Sequence, residues 1–130
     1  MSIFFLVITT LLFSPGARYI DVAAPEKTDP WQNLINAIGK VECNYDTTAV
    51  NQKEQAYGFF QVRQVRLDDY RKRTGIHYSL ADMLDYSKAK RVFMFYAWQY
   101  GPYDYEGIAK RWNGSGPMTE IYWQKVKRYL

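Results

Sequence analysis

The sequence predicts a mostly α domain of five or six short helices, with a small loop or β element following the first of them. Three observations lead there. Apolar residues recur at helical spacing in several segments; Gly, Pro and capping residues punctuate those segments at short intervals; and residues 44–57 are polar and rich in Asn, Thr and Gln, without helical period.

The first helix lies in DPWQNLINAIGKVE. Asp29 is placed as its N-cap and Pro30 at its first position, and Trp31, Leu34, Ile35, Ile38 and Val41 form one apolar stripe. The polar stretch 44–57 then reads as a loop or a small strand pair, followed by AYGFFQ at 56–61. VRLDDYRKRTG gives a short helix stopped by Gly75. SLADML starts another, with Ser79 and Asp82 spaced as a capping box. SKAKRVFMFYAWQYG carries Val92, Phe93, Phe95, Tyr96 and Trp98, so it is apolar over most of its circumference and is expected at the centre of the core. YEGIAKRW is short and helical, NGSGP is a turn, and TEIYWQKVKRYL is a terminal amphipathic helix with Thr119 as cap and Glu120 in its first turn.

The 130 residues are 48% hydrophobic, enough to bury one core, so residues 30–130 are expected to form one domain. Before it, residues 18–29 read as a linker. Residues 1–17 hold an 11-residue apolar run, Ile3 to Phe13, followed by small and turn-forming residues. Such a run is expected to be a signal peptide, or a short membrane anchor if it is retained, and is too short for an ordinary spanning helix. It lacks a preceding Lys or Arg, and Pro15 sits badly for cleavage after Ala17.

Cys43 is the only cysteine and His77 the only histidine, which excludes an internal disulfide and a thiolate or imidazole metal cluster. Neither a metal nor an organic cofactor is expected. Cys43 and His77 lie in no recognisable thiol-peptidase motif. Charge is uneven: residues 61–130 hold 13 Lys and Arg against 7 Asp and Glu, and residues 1–60 hold 4 against 6. A basic half suits a polyanionic partner, but RKR at 71–73 is the only dense cluster and no nucleic-acid reader motif accompanies it, so nucleic acid is not the expected partner.

One residue breaks the pattern. Glu42 falls four residues after Ile38 and seven after Ile35, which at about 100° per residue aims its carboxyl between the directions of Trp31 and Ile35, on the apolar stripe. A carboxyl placed there loses hydration, which disfavours its charged form and raises its pKa, so it is either a liability to the fold or a tool for proton chemistry.

Glu42 at a helix end, then Gly58, Phe59, Phe60 and Gln61, then Trp112, Asn113 and Gly114, then Thr119 and Tyr122, occur in an order and spacing that resembles the lysozyme-like catalytic domain of soluble lytic transglycosylases, related to goose-type lysozymes. In that family a helix ends in Glu-Ser, a loop leads to Gly-Leu-Met-Gln, and a Tyr-Asn-Gly/Ala-Gly turn precedes a final helix bearing Glu-Thr-x-x-Tyr-Val. The resemblance covers residues 30–130 and implies an α+β lysozyme-like fold. It also implies cleavage of the MurNAc-GlcNAc β-1,4 bond of peptidoglycan, with Glu42 as the single acid and base and 1,6-anhydroMurNAc as product. Gln61 and Asn113 would hold N-acetyl or peptide amides of the substrate, Tyr57 and Trp112 would offer rings to sugars, and Tyr122 would set its hydroxyl near Glu42. Gly58 would shape the loop and Cys43 would support the acid. The chain departs from the pattern at Cys43 for Ser, Met118 for Glu and Trp112 for Tyr. The implied setting is the periplasm or cell envelope, or a phage particle or secretion apparatus that opens the wall. Two readings compete: a hydrolysing muramidase that recruits Asp46 or Glu54 as second carboxylate, and a non-catalytic wall-binding or structural protein, which would have no need of Glu42.

Overall fold

The computed structural model describes residues 29–130; the apolar N-terminal segment and all but the last residue of the expected linker lie outside them. The described chain runs α1 (Gln32–Cys43), β1 (Val50–Asn51), β2 (Ala56–Tyr57), α2 (Gln64–Thr74), a 3-10 turn (Ala81–Leu84), α3 (Tyr86–Ala97), a second 3-10 turn (Trp98–Tyr100), α4 (Tyr105–Asn113) and α5 (Met118–Lys127). This is the mostly α architecture with a small β element after the first helix. The two strands pair antiparallel, Val50 opposite Tyr57 and Asn51 opposite Ala56.

The helix boundaries follow from local chemistry. Asp29 and Pro30 do not take the expected cap and first helical positions: α1 begins at Gln32 with Trp31 at the cap position and no side-chain cap, and Asp29 instead closes the turn ahead of the helix, its Oδ1 accepting the Trp31 N–H at 3.0 Å and its carbonyl the Gln32 N–H. At the other end Asn44 adopts a left-handed conformation, and the N–H groups of Asn44 and Tyr45 return to the carbonyls of Lys40 and Gly39. Two orphan carbonyls are satisfied and the helix stops one residue after Glu42. Gly75, with φ +75°, ends α2.

Two further expectations need correction. The Ser79–Asp82 capping box does form: Asp82 N–H donates to Ser79 Oγ at 3.2 Å and Ser79 N–H to Asp82 Oδ2 at 2.9 Å. Yet it opens only a 3-10 turn, because Asp85 adopts an extended conformation and itself caps α3 by accepting the Lys88 N–H. Thr119 is not the cap of α5. It lies inside the first turn and its hydroxyl donates back to the Gly116 carbonyl at 2.6 Å.

The core gathers Leu34, Ile35 and Ile38 of α1, Phe60, Val62, Met83, Val92 and Phe93 of α3, and Val126 of α5. Phe60 lies at its centre, stacked on Phe93 with centroids 4.7 Å apart and meeting Trp112 edge-on. The α3 segment is less uniformly buried than its composition suggested. Val92, Phe93 and Tyr96 are inside, Phe95 is half-buried, and Trp98 is 66% exposed beyond the end of the helix. α5 packs on both α1 and α4, and this sets the terminal helix beside the end of α1. Fully burying each large apolar side chain contributes roughly 1.5–3 kcal/mol, so the framework behind Glu42 is rigid rather than adaptable.

Candidate active site

A groove of about 410 Å³ opens where the end of α1, the loop and strand around Glu54 and Ala56, the segment Gln61–Arg63, the first turns of α2 and the C-terminal end of α4 meet. Glu42, Gln61, Trp112 and Asn113 border it, so four of the residues expected at the site converge from three separate parts of the chain.

Glu42 is half-buried in the last turn of α1. Its Oε1 accepts a hydrogen bond from the buried Tyr122 hydroxyl at 2.7 Å, across 80 residues of sequence. Burial is the dominant influence and pushes the carboxyl up to about 7. The Tyr122 hydrogen bond opposes this by stabilising the carboxylate, the nearby charge of Glu54 reinforces it, and Arg63 and Lys125 oppose it more weakly. Glu42 keeps some exposed surface and borders the groove, so the group is desolvated by the protein packed around it without being sealed off. Tyr122 is shifted in the same direction: burial first, then the Glu42 charge, raise its pKa well above that of an ordinary phenol, so it stays a hydroxyl donor.

The other expected residues divide into two groups. Gly58 and Gln61 build the loop that carries the groove wall. Gly58 has φ +78°, and a Cβ there would lie 1.9 Å from the Met83 carbonyl oxygen, so both backbone shape and contact with the 3-10 turn demand glycine. Gln61 also has positive φ, +50°. Its side-chain Nε2 donates to the carbonyls of Gly58 at 3.0 Å and Ala49 at 3.3 Å, which leaves the side-chain oxygen as the group available to a ligand's N–H. Cys43 lies behind the acid, its sulfur 3.3 Å from the carbonyls of both Gly39 and Phe59. Burial pushes the Cys43 thiol up, with the charges of Asp46 and Glu42 adding to the effect, so it is a poor thiolate and a packing and hydrogen-bonding partner. His77 is exposed in the loop after α2.

The aromatic expectations fare less well. Trp112 borders the groove, but only 7% of it is exposed. Its indole N–H donates to the Phe60 carbonyl at 3.1 Å, its ring meets Phe93 edge-on, and the Arg66 guanidinium lies 4.8 Å from its centroid. With those contacts it is a core residue whose edge reaches the groove, rather than an open platform. Tyr57 pairs in β2 and packs partly against the core without bordering the groove. Asn113 is the exposed last residue of α4, and its amide lines the groove with no protein side-chain partner among the described residues.

Sequence reasoning missed two contributors. A Cβ at Gly39 would come 2.0 Å from the Phe59 ring, so this glycine admits Phe59 against α1 and helps seat the loop. Arg66 donates from Nη2 to the carbonyls of Arg111 (3.2 Å) and Trp112 (2.8 Å), and lies over the rings of Tyr96 and Trp112, tying the end of α4 to α2. Gly39 interrupts an otherwise apolar stripe and was the one available sequence signal; Arg66 gave none.

Of the two alternative carboxylates, Glu54 borders the groove and pairs with Arg63 at 2.8 Å, both being half exposed. Asp46 does not border it, and its Oδ1 accepts the N–H and hydroxyl of Thr48 in a local turn. Among the described residues no group of three or more His, Cys, Asp and Glu side chains is arranged to hold a metal ion, and no helix is long and apolar enough to cross a membrane. No family model, curated protein or solved structure matches the chain.

Proposed function

We propose that the protein is a peptidoglycan-cleaving lytic transglycosylase of lysozyme-like type, acting on the MurNAc-GlcNAc β-1,4 bond with Glu42 as its acid and base. The observation that carries this reading is the Glu42 carboxyl, poised near 7 at the edge of a groove with one oxygen held by Tyr122. A carboxyl with that pKa is protonated in a large fraction of molecules at neutral pH and, once it has given its proton up, is still basic enough to take one back.

The steps follow from this property. Glu42 transfers its proton to the glycosidic oxygen as the bond from that oxygen to the muramic C1 breaks, and GlcNAc leaves as an alcohol. The positive charge at C1 is stabilised by the neighbouring N-acetyl oxygen. The Glu42 carboxylate then removes the proton of the same sugar's C6 hydroxyl, whose oxygen bonds to C1. The sugar becomes 1,6-anhydroMurNAc, Glu42 is again protonated and no water is consumed. Tyr122 donates to Oε1 throughout, which orients the carboxyl and leaves Oε2 to carry the moving proton. The Gln61 side-chain oxygen and the Asn113 amide are suited to the substrate's amides. An exported setting, in the cell envelope or on a phage or secretion apparatus, agrees with the apolar segment Ile3 to Phe13.

A hydrolysing muramidase is the second reading, favoured by one observation: Glu54 lines the same groove. A water-activating base would have to stand about 6.5–9.5 Å from the acid. Digestion of purified peptidoglycan followed by mass spectrometry of the released muropeptides separates the readings. Anhydro ends are expected; reducing ends would transfer the assignment to the muramidase, and no release would favour a wall-binding protein.

A further inference from the structure

The groove is electrically lopsided along the end of α4. Two successive cations occupy the last turns of that helix. Lys110 is committed to the far side, bridging Glu106 at 2.6 Å and Glu120 at 2.5 Å. Arg111 is exposed, borders the groove as Asn113 does, and has no carboxylate partner among the described residues. Arg66 borders the groove too, its guanidinium engaged by backbone carbonyls and aromatic faces rather than by an ion pair. The one acid of α2 that borders this wall, Asp69, is already occupied by the Tyr96 hydroxyl at 2.7 Å and by Arg73 at 3.0 Å. Burial chiefly lowers the Arg66 pKa and the like charge of Arg111 adds to this, against Tyr96 and Asp69, so the two guanidiniums stand close enough to feel each other's charge. At the opposite side the Arg63–Glu54 pair is neutral as a unit.

We propose that Arg111, backed by Arg66, forms a carboxylate-binding subsite at the α4 end of the groove, which receives the acidic stem peptide attached to the muramic lactyl group. The inference rests on the proposed function and adds a substrate preference to it: peptide-bearing glycan over naked glycan. Arg111 is the group that makes the contact. Its planar fork matches a carboxylate in two parallel hydrogen bonds, and its exposed position lets a flexible peptide reach it without the ring face that Arg66 needs. Asn113, at the end of the same helix, also borders the groove and offers its amide to a peptide N–H or carbonyl.

Two measurements with the full chain test this. In the first, glycan strands with peptides and strands stripped by an amidase are offered to Glu42→Gln protein, which cannot turn over, and binding is followed by calorimetry. Peptide-bearing strands should bind at least ~10-fold more tightly, a preference that shrinks as salt is raised. In the second, the ratio of kcat/KM for the two substrates is compared between the parent, Arg111→Gln and Arg111→Lys. The ratio should fall to near one in Arg111→Gln and be partly kept in Arg111→Lys. Equal binding of both strands by Glu42→Gln protein, or an unchanged ratio in Arg111→Gln, would overturn the subsite while leaving the glycan reading intact. Binding of neither strand would instead remove the glycan reading and the subsite with it.

Discussion

Glu42 and Asp82 are both carboxyls at the ends of short helical segments, and their surroundings drive them apart. Asp82 sits in the 3-10 turn before α3, where Lys88 at 2.7 Å and the N–H and hydroxyl of Ser79 all donate to it, and these contacts hold it at about 2. Among the described residues Glu42 has one protein donor, a phenol, and it is wrapped by packed residues that exclude water, so it rises to about 7. Donor number against desolvation decides the outcome. A cap collects donors because it has to stay charged; an acid that moves a proton needs to be denied them. The difference between these regions is what singles out Glu42 among the acids of the described chain.

The comparison breaks most completely at the carboxyl itself. Glu42→Gln keeps shape and can still accept from Tyr122, but it has no transferable proton, so peptidoglycan cleavage should fall by at least ~10²-fold with the fold intact. Assay of released muropeptides beside a circular dichroism melt checks both halves of that statement.

The same variant has a stability signature. Because the folded pKa of Glu42 is raised from 4.5 to about 7, the folded state holds the proton more tightly than the unfolded chain does. Its contribution is therefore fully present below about pH 4.5 and is lost as pH rises through 7, up to ~3 kcal/mol in all and less where its exposed surface is hydrated. Glu42→Gln should accordingly melt higher than the parent at pH 8, with the advantage disappearing toward pH 4. A parallel pair of melting curves that never cross or converge would show that Glu42 is ordinarily solvated. For Asp82 the sign is opposite: its stabilising contacts are lost as pH falls through its low pKa, and Asp82→Asn should weaken the turn with little change in cleavage.

Much of this arrangement was legible beforehand, and the missing parts share a cause. Gly75 stops α2, and Ser79 and Asp82 bond to each other, through neighbours within a few residues, so spacing suffices to place those contacts; it does not fix where a helix starts, since Asp29 lies two residues ahead of the cap position of α1 and the Ser79–Asp82 box opens only a 3-10 turn. The inward direction of Glu42 followed from helical period alone. Its partner Tyr122 is 80 residues away and was placed through the family resemblance rather than through spacing. Where the decisive contact is distant and has no pattern, sequence says little. Trp112 is as aromatic as a sugar platform would be, but Phe60, Phe93 and Arg66 take its surfaces. Thr119 looks like a cap and is displaced because Gly116 and Pro117 complete the turn before it.

A smaller effect sharpens the comparison. Tyr122→Phe deletes the one donor that stabilises charge on Glu42, so the Glu42 pKa should rise further and the falling limb of the pH–rate profile should move to higher pH. Turnover at the optimum should also drop, since the carboxyl loses its orienting contact. A limb that moves to lower pH would mean that the hydroxyl acts on the neutral form instead.

The smallest effect is expected at Cys43. Serine preserves a hydrogen bond to the Gly39 or Phe59 carbonyl, so Cys43→Ser should keep cleavage within about tenfold of the parent. Complete loss in a folded variant, with a trapped thioester on a suitable substrate, would return the thiol to consideration as a nucleophile.

The most direct test is an NMR titration of the glutamate side-chain carboxyl carbons, with Glu42 assigned by its disappearance in Glu42→Gln and the aspartates followed in the same samples. We expect Glu42 to titrate near 7 while Asp82 stays charged down to about pH 2. A Glu42 midpoint at or below the ordinary 4.5 would mean that water or unseen donors reach the carboxyl, and would contradict the role proposed for it as the proton carrier.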